Sequence, residues 1–140
     1  MSNRTRKLIS SFLLLGSLAL VACSKPEDKL VGTWGIDFDA TVASDERLKA
    51  MPEDQRKMAM DMAQKMFKEA SFEFSKDGKM TSNFGGKKQE GSYTVKSADA
   101  EKIVLNTKGA DGKEEEITVE SKDNKLVLNS KGQKIYLQKK

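Results

Sequence analysis

Hydrophobic and polar residues follow two periods along the folded part of this chain, and each predicts a different element. From Leu30 to Asp39 the period is two. Leu30, Gly32, Trp34, Ile36 and Phe38 fall on one side, and Val31, Thr33, Gly35, Asp37 and Asp39 on the other. That alternation predicts a half-buried first strand. From Ser44 to Ala70 the period lengthens. Ser44 can cap a helix, with Asp45 and Glu46 in its first turn. Pro52 predicts a break or restart, because proline is tolerated in a first helical turn and not in an interior. Beyond it Met58, Met62 and Met66 recur every four residues, with Ala59, Ala63, Phe67 and Ala70 beside them. This is an amphipathic helix. A helical insertion, as two helices or one kinked helix, is expected at about residues 44–70.

After Ser71 the period returns to two. Short apolar pairs recur: Phe72/Phe74, Met80/Phe84, Tyr93/Val95, Ile103/Leu105, Ile117/Val119, Leu126/Leu128 and Ile135/Leu137. Turn signals separate them, among them Lys76-Asp77-Gly78, Gly85-Gly86 and Lys122-Asp123-Asn124. Turns at this spacing predict an antiparallel meander. With the first strand there are eight, a number that can close into a barrel and so remove every exposed edge. The expected fold is mainly β: an eight-stranded antiparallel meander barrel with a helical insertion between strands 1 and 2.

The N-terminus follows neither period. Arg4, Arg6 and Lys7 precede an apolar run from Leu8 to Val21 that Ser and Gly interrupt. A basic segment before a short apolar one is the secretory pattern, and the run is shorter than the ~20 apolar residues a membrane span needs. It ends in Leu20-Val21-Ala22-Cys23, which resembles the lipobox of bacterial lipoproteins. The resemblance implies removal of residues 1–22 and acylation of Cys23, so that two or three acyl chains anchor the protein. Ser24, directly after the cysteine, resembles the signal for outer-membrane sorting, which implies the periplasmic face of the outer membrane. Residues 23–29 then form a lipidated cysteine and polar tether, Ser24 to Lys29 reaching at most ~20 Å, and residues 30–140 form the barrel.

The chain has 25 Lys and Arg against 21 Asp and Glu, but Arg4, Arg6 and Lys7 leave with the signal. The remaining charge is nearly balanced and interspersed, which argues against a nucleic-acid partner. The single cysteine is the acylation site, so no disulfide or thiol chemistry is expected. There is no histidine. That removes His-assisted nucleophilic catalysis and the usual imidazole metal sites. The chain reads as a non-enzyme without cofactor. Met58-Ala59-Met60-Asp61-Met62 is similar to the Met-x-Met pattern of envelope Cu(I) proteins. On a helix, however, Met60 lies nearly opposite Met58 and Met62, so no metal is expected.

Leu30-Val31-Gly32-Thr33-Trp34 resembles the Gly-x-Trp opening strand of the calycin superfamily, which holds lipocalins and fatty-acid-binding proteins. In those folds the Trp closes one end of the barrel. Helices between strands 1 and 2 resemble the lid of the fatty-acid-binding branch. Lys134-Ile135-Tyr136 stands where that branch carries Arg-x-Tyr for a ligand carboxylate. The opposite parity, with Ile135 and Leu137 inward, is favoured because burying an unpaired Lys is costly.

The resemblance implies a small apolar or amphipathic ligand in the barrel. Its candidate residues are Trp34, Phe38, the lid face of Met58, Met62 and Met66, and the pair Lys134 and Tyr136. The alternative is a filled barrel serving as a protein–protein interaction module of the envelope, an assembly factor or inhibitor.

Overall fold

The computed structural model describes residues 24–140. The expected signal segment 1–22 and Cys23 lie outside the described residues. Strands β1 (Gly32–Ile36), β2 (Ser71–Phe74), β3 (Lys79–Phe84), β4 (Lys87–Ala98), β5 (Lys102–Lys108), β6 (Glu114–Lys122), β7 (Lys125–Ser130) and β8 (Gln133–Lys139) follow one another in chain order. Each pairs antiparallel with the next, and β1 pairs with β8 to close the barrel. The turns use the chemistry their sequences announce. At the β2–β3 turn Gly78 takes φ +83° and its carbonyl accepts from Tyr93 N, while Tyr93 Oη donates to Ser75 O. An added Cβ at Gly78 would stand 3.0 Å from the Tyr93 carbonyl, so glycine is needed there for both its φ and its size.

One end of the barrel is packed solid. Trp34 of β1 enters it, and its Nε1 donates to Leu30 O at 2.8 Å. Leu30, Phe74, Ile103, Leu105, Val119, Leu126 and Leu137 are at most 1% exposed. Phe74 and Tyr93 meet edge-to-face at 5.5 Å, an arrangement that adds about 0.5–1.5 kcal/mol beyond burial. The residues before β1 belong to this end. Pro26–Lys29 coil into a 3-10 helix, and Lys29 Nζ donates to Ala100 O at 2.9 Å. The expected tether is therefore partly folded onto the closed end, which shortens its reach.

The helical insertion runs over α1 (Phe38–Ser44), α2 (Glu46–Ala50) and α3 (Glu53–Phe67). It starts earlier than the expected residue 44. Asp37 ends the strand because its carboxylate accepts from Ala40 N and caps α1. Phe38 is thus helical and not part of β1. Asp45 caps α2 in place of Ser44, which closes α1. Pro52 stands at the N-cap of α3, so the restart falls where proline predicts it. β1 is short, and α1 takes its place beside the upper part of β8: Asp37 N donates to Tyr136 O, and Tyr136 N to Thr41 Oγ1. No described helix is long and apolar enough to cross a membrane.

Candidate ligand-binding site

The strand registers decide which candidates face inward. Leu126 pairs with Leu137, and Leu128 with Ile135. Leu126, Leu128 and Leu137 are buried, and Ile135 packs against the same core. Parity then puts Lys134 and Tyr136 on the outer wall, opposite Asn129 and Val127. The match to an inward Arg-x-Tyr fails, and neither residue is a pocket residue. The cause is the cost of burying an ammonium without a partner, set against two aliphatic side chains that gain from the same position.

The methionine lid is also corrected. Met58, Met62 and Met66 are 70%, 63% and 49% exposed. The less exposed side of α3 carries Ala59, Met60, Ala63 and Phe67. Small alanines let the helix approach its neighbours on that side, and the long thioethers remain outside. Met60 and its neighbours Met58 and Met62 point to different sides, so the three sulfurs are not gathered. Among the described residues no group of His, Cys, Asp or Glu is arranged to hold a metal.

Trp34 is 3% exposed and is consumed in closing the barrel. Its ring is covered by Lys139, whose Nζ sits 5.2 Å from the ring centroid. The opposite end is looser and more polar. Phe72, Phe84, Ile117 and Ile135 are half-buried there, with Phe72 and Phe84 edge-to-face at 5.2 Å. Glu115 pairs across the sheet with buried Thr107. Its carboxylate accepts from Ser130 Oγ and lies 3.3 Å from Lys131 Nζ. The Ser130 hydroxyl, more than Lys131, holds that carboxyl below its ordinary range. An ionised carboxylate at this end disfavours an anionic ligand entering there.

A different place collects the features of a ligand site. A groove of about 560 Å³ runs between the C-terminal half of α3 and the β1–β8 seam. This volume lies within the range of small-molecule sites. Its apolar floor is Ile36, Phe38, Phe67 and Ala70, with the Phe38 and Phe67 rings 6.3 Å apart. Lys65, Lys68 and Lys140 line its sides, and no Asp or Glu side chain does. Lys140 lies along β1: an added Cβ on Gly35 would stand 3.1 Å from its Cε, so the absence of a side chain at Gly35 makes room for that stem. Lys65, Lys68 and Lys140 enter no ion pair among the described residues. A cationic rim over an apolar floor suits a molecule with an anionic head and an apolar body.

Phe38 is therefore the one ligand candidate of the sequence that lines this groove, and from a helix instead of a strand. Lys65, Lys68 and Lys140 were not anticipated as site residues. Lys65 and Lys68 flank Phe67 in the last turn of α3, a spacing that signals a cationic collar around an aromatic residue. Nothing in the linear pattern brings Lys140 to them, since only barrel closure sets β8 beside β1.

The helix cap below the groove is tied to the sheet. Asp37 Oδ2 accepts from Lys125 Nζ at 2.8 Å, and the carboxylate is 16% exposed. The Lys125 hydrogen bond first, and the Ala40 N–H second, hold Asp37 below its ordinary pKa.

No family model matches the chain, and no curated protein sequence matches it. Among solved structures it is similar to As-p18, an extracellular fatty acid binding protein, at 15% identity with a TM-score of 0.40, covering 84% of this chain and 100% of that one. It is also similar to a DUF4847 family protein from Bacteroides vulgatus ATCC 8482, at 15% identity with a TM-score of 0.52, covering 79% of this chain and 93% of that one. The second likeness agrees with the closed eight-strand antiparallel barrel.

Proposed function

We propose that this chain is a non-enzymatic binding protein of the bacterial envelope, anchored through Cys23, that carries an anionic amphiphile in the groove between α3 and the β1–β8 seam. The carrying observation is the groove itself, with Phe38 and Phe67 on its floor and Lys65, Lys68 and Lys140 on its sides. The filled closed end supports a site outside the strand interior. The lipobox-like Leu20-Val21-Ala22-Cys23 supports the anchor, and the 3-10 helix folded on the closed end keeps that end nearest the bilayer. The periplasmic face of the outer membrane is the location that Ser24 favours.

Displacement of a fluorescent fatty acid from the chain beginning at Ser24 tests the binding. Reversing two cations (Lys68→Glu with Lys140→Glu) is expected to weaken binding about tenfold, since two charge contacts of up to ~1 kcal/mol each are lost. An uncharged alcohol of the same chain length should bind both forms alike. Equal affinity of the anionic probe for both proteins would remove this groove as the site. For the anchor, intact mass of the protein extracted from membranes should show a chain that begins at an acylated Cys23, whereas Cys23→Ser should carry no acyl groups and keep residues 1–22. A wild type without acyl mass would remove the anchor.

The exposed methionine side of α3 favours a second reading, a protein-interaction module.

A further inference from the structure

We infer that α3 is a self-association surface, on which a second copy of this chain docks antiparallel through the methionine face. Four of the five large hydrophobic residues exposed among the described residues are Met51, Met58, Met62 and Met66, all on α3 or one turn before it. A contiguous exposed apolar stripe of this kind marks an interaction site, and methionine adapts its shape to a partner surface. A shallow groove runs along the helix here, lined by Asp54, Lys57, Met58, Asp61, Met62 and Lys65.

The order of these six residues identifies the partner. The four charges are complementary when their order is reversed, Asp54 matching Lys65 and Lys57 matching Asp61, and Met58 and Met62 match each other about nearly the same point. The midpoints of all three pairs fall at Ala59–Met60. At 100° per residue the charged residues lie on one side of the face and the methionines on the other. A two-fold axis at the midpoint, perpendicular to the helix, lays each side along the same side of the partner. Asp54 then meets Lys65 of the second copy, and Lys57 meets Asp61. Met58 meets Met62, and Met51 falls opposite Met66. Each contact is made twice, as an isologous interface requires. A parallel two-fold pairing would lay the charged side of each helix against the methionine side of the other, so the charges would lose their partners and the methionines their apolar contacts. An anionic bilayer fits this face poorly, because Asp54 and Asp61 sit within it. The i, i+4 spacing of Met58, Met62 and Met66 forms a ridge of the type that interdigitates when two helices pack.

The test uses the chain from Ser24, which contains the whole barrel and insertion, in sedimentation across a wide concentration range. The wild type is expected to form a dimer. Asp54→Lys with Asp61→Lys makes the face wholly cationic, and Lys57→Asp with Lys65→Asp makes it wholly anionic. Each variant alone is expected to dimerise at least tenfold more weakly. Mixing the two in equal amounts should restore a dimer, because the mixed pair regains every complementary contact. All six substituted or neighbouring positions are exposed, so circular dichroism should show unchanged folds. A wild type that stays monomeric throughout, whether or not it binds anionic vesicles, would overturn the proposal. So would two variants that each dimerise like the wild type, or a mixture that fails to recover.

Discussion

The closed end of the barrel and helix α3 both carry large apolar residues, and put them to opposite effect. At the closed end Phe74, Ile103, Leu105, Val119, Leu126 and Leu137 are fully buried, and strand registers fix every one of them. On α3 no residue is fully buried, and three of its four methionines, Met58, Met62 and Met66, face outward. A strand in a closed barrel has both edges paired and one face enclosed, so its alternation is converted into burial almost without choice. A helix inserted between two strands is held mainly at its ends. Its rotation about its own axis is decided by which side lets it approach closest, and here the alanine side does. The barrel therefore carries the stability, and the insertion carries the exposed chemistry.

Truncating a side chain in the enclosed region should have the largest effect. Phe74→Ala removes a ring that is 1% exposed and set edge-to-face against Tyr93. A loss of about 3–5 kcal/mol is expected, visible as a large shift of the denaturant midpoint. A loss below ~1 kcal/mol would mean that the closed end is not packed as described, and the contrast with α3 would collapse.

The joint between the two regions should come second. Asp37 caps α1 and is held by Lys125 on β7. Asp37→Ala should cost about 1 kcal/mol, the usual effect of losing a cap. It should also change the pH response. A carboxyl whose folded pKa is depressed contributes stability above its unfolded pKa, about 3.9, and loses it as pH falls through the lower folded value. Thermal unfolding between pH 7 and pH 2 should show a smaller acid loss for Asp37→Ala than for the wild type. Equal losses would show that other carboxylates, such as Asp45 and Glu115, carry the acid sensitivity.

The difference between the regions also explains what was legible in the sequence. The eight strands and their turns are local signals, because period two and Gly- or Asn-containing turns act within a few residues. Pro52 and the alanine-rich side of α3 are equally local. The start of α1 was missed because Phe38 continues the alternation of β1, while the event that ends the strand is a side-chain cap at Asp37. The inward parity of β8 is favoured in the sequence by the cost of burying Lys134, and its pairing with β7 and β1 sets it. The groove was least legible of all. Phe38, Phe67 and Lys140 are distant in the chain and meet only when β8 closes against β1. The orientation of the methionines was misjudged because hydrophobicity alone favours burying thioethers. The shorter approach allowed by Ala59 and Ala63 prevails, and the methionines stay where a second surface can reach them.

The smallest effect on stability should come from the methionines themselves. Met58→Gln with Met62→Gln keeps side-chain length and helix propensity, since glutamine and methionine rank closely as helix formers. If these residues face water in the isolated chain, removing their apolar character costs within about 0.5 kcal/mol. A lid closed over the barrel mouth would behave otherwise, because two amides would then be buried without assured partners at about 1–3 kcal/mol each. Unfolding must be measured at a concentration low enough to hold the wild type as a monomer, since a dimer through this face would add its own stability by mass action. Under that condition nearly superimposable unfolding curves are expected for the wild type and the double variant. A loss approaching that of Phe74→Ala would return the methionine side of α3 to the core and reverse the contrast between the two regions.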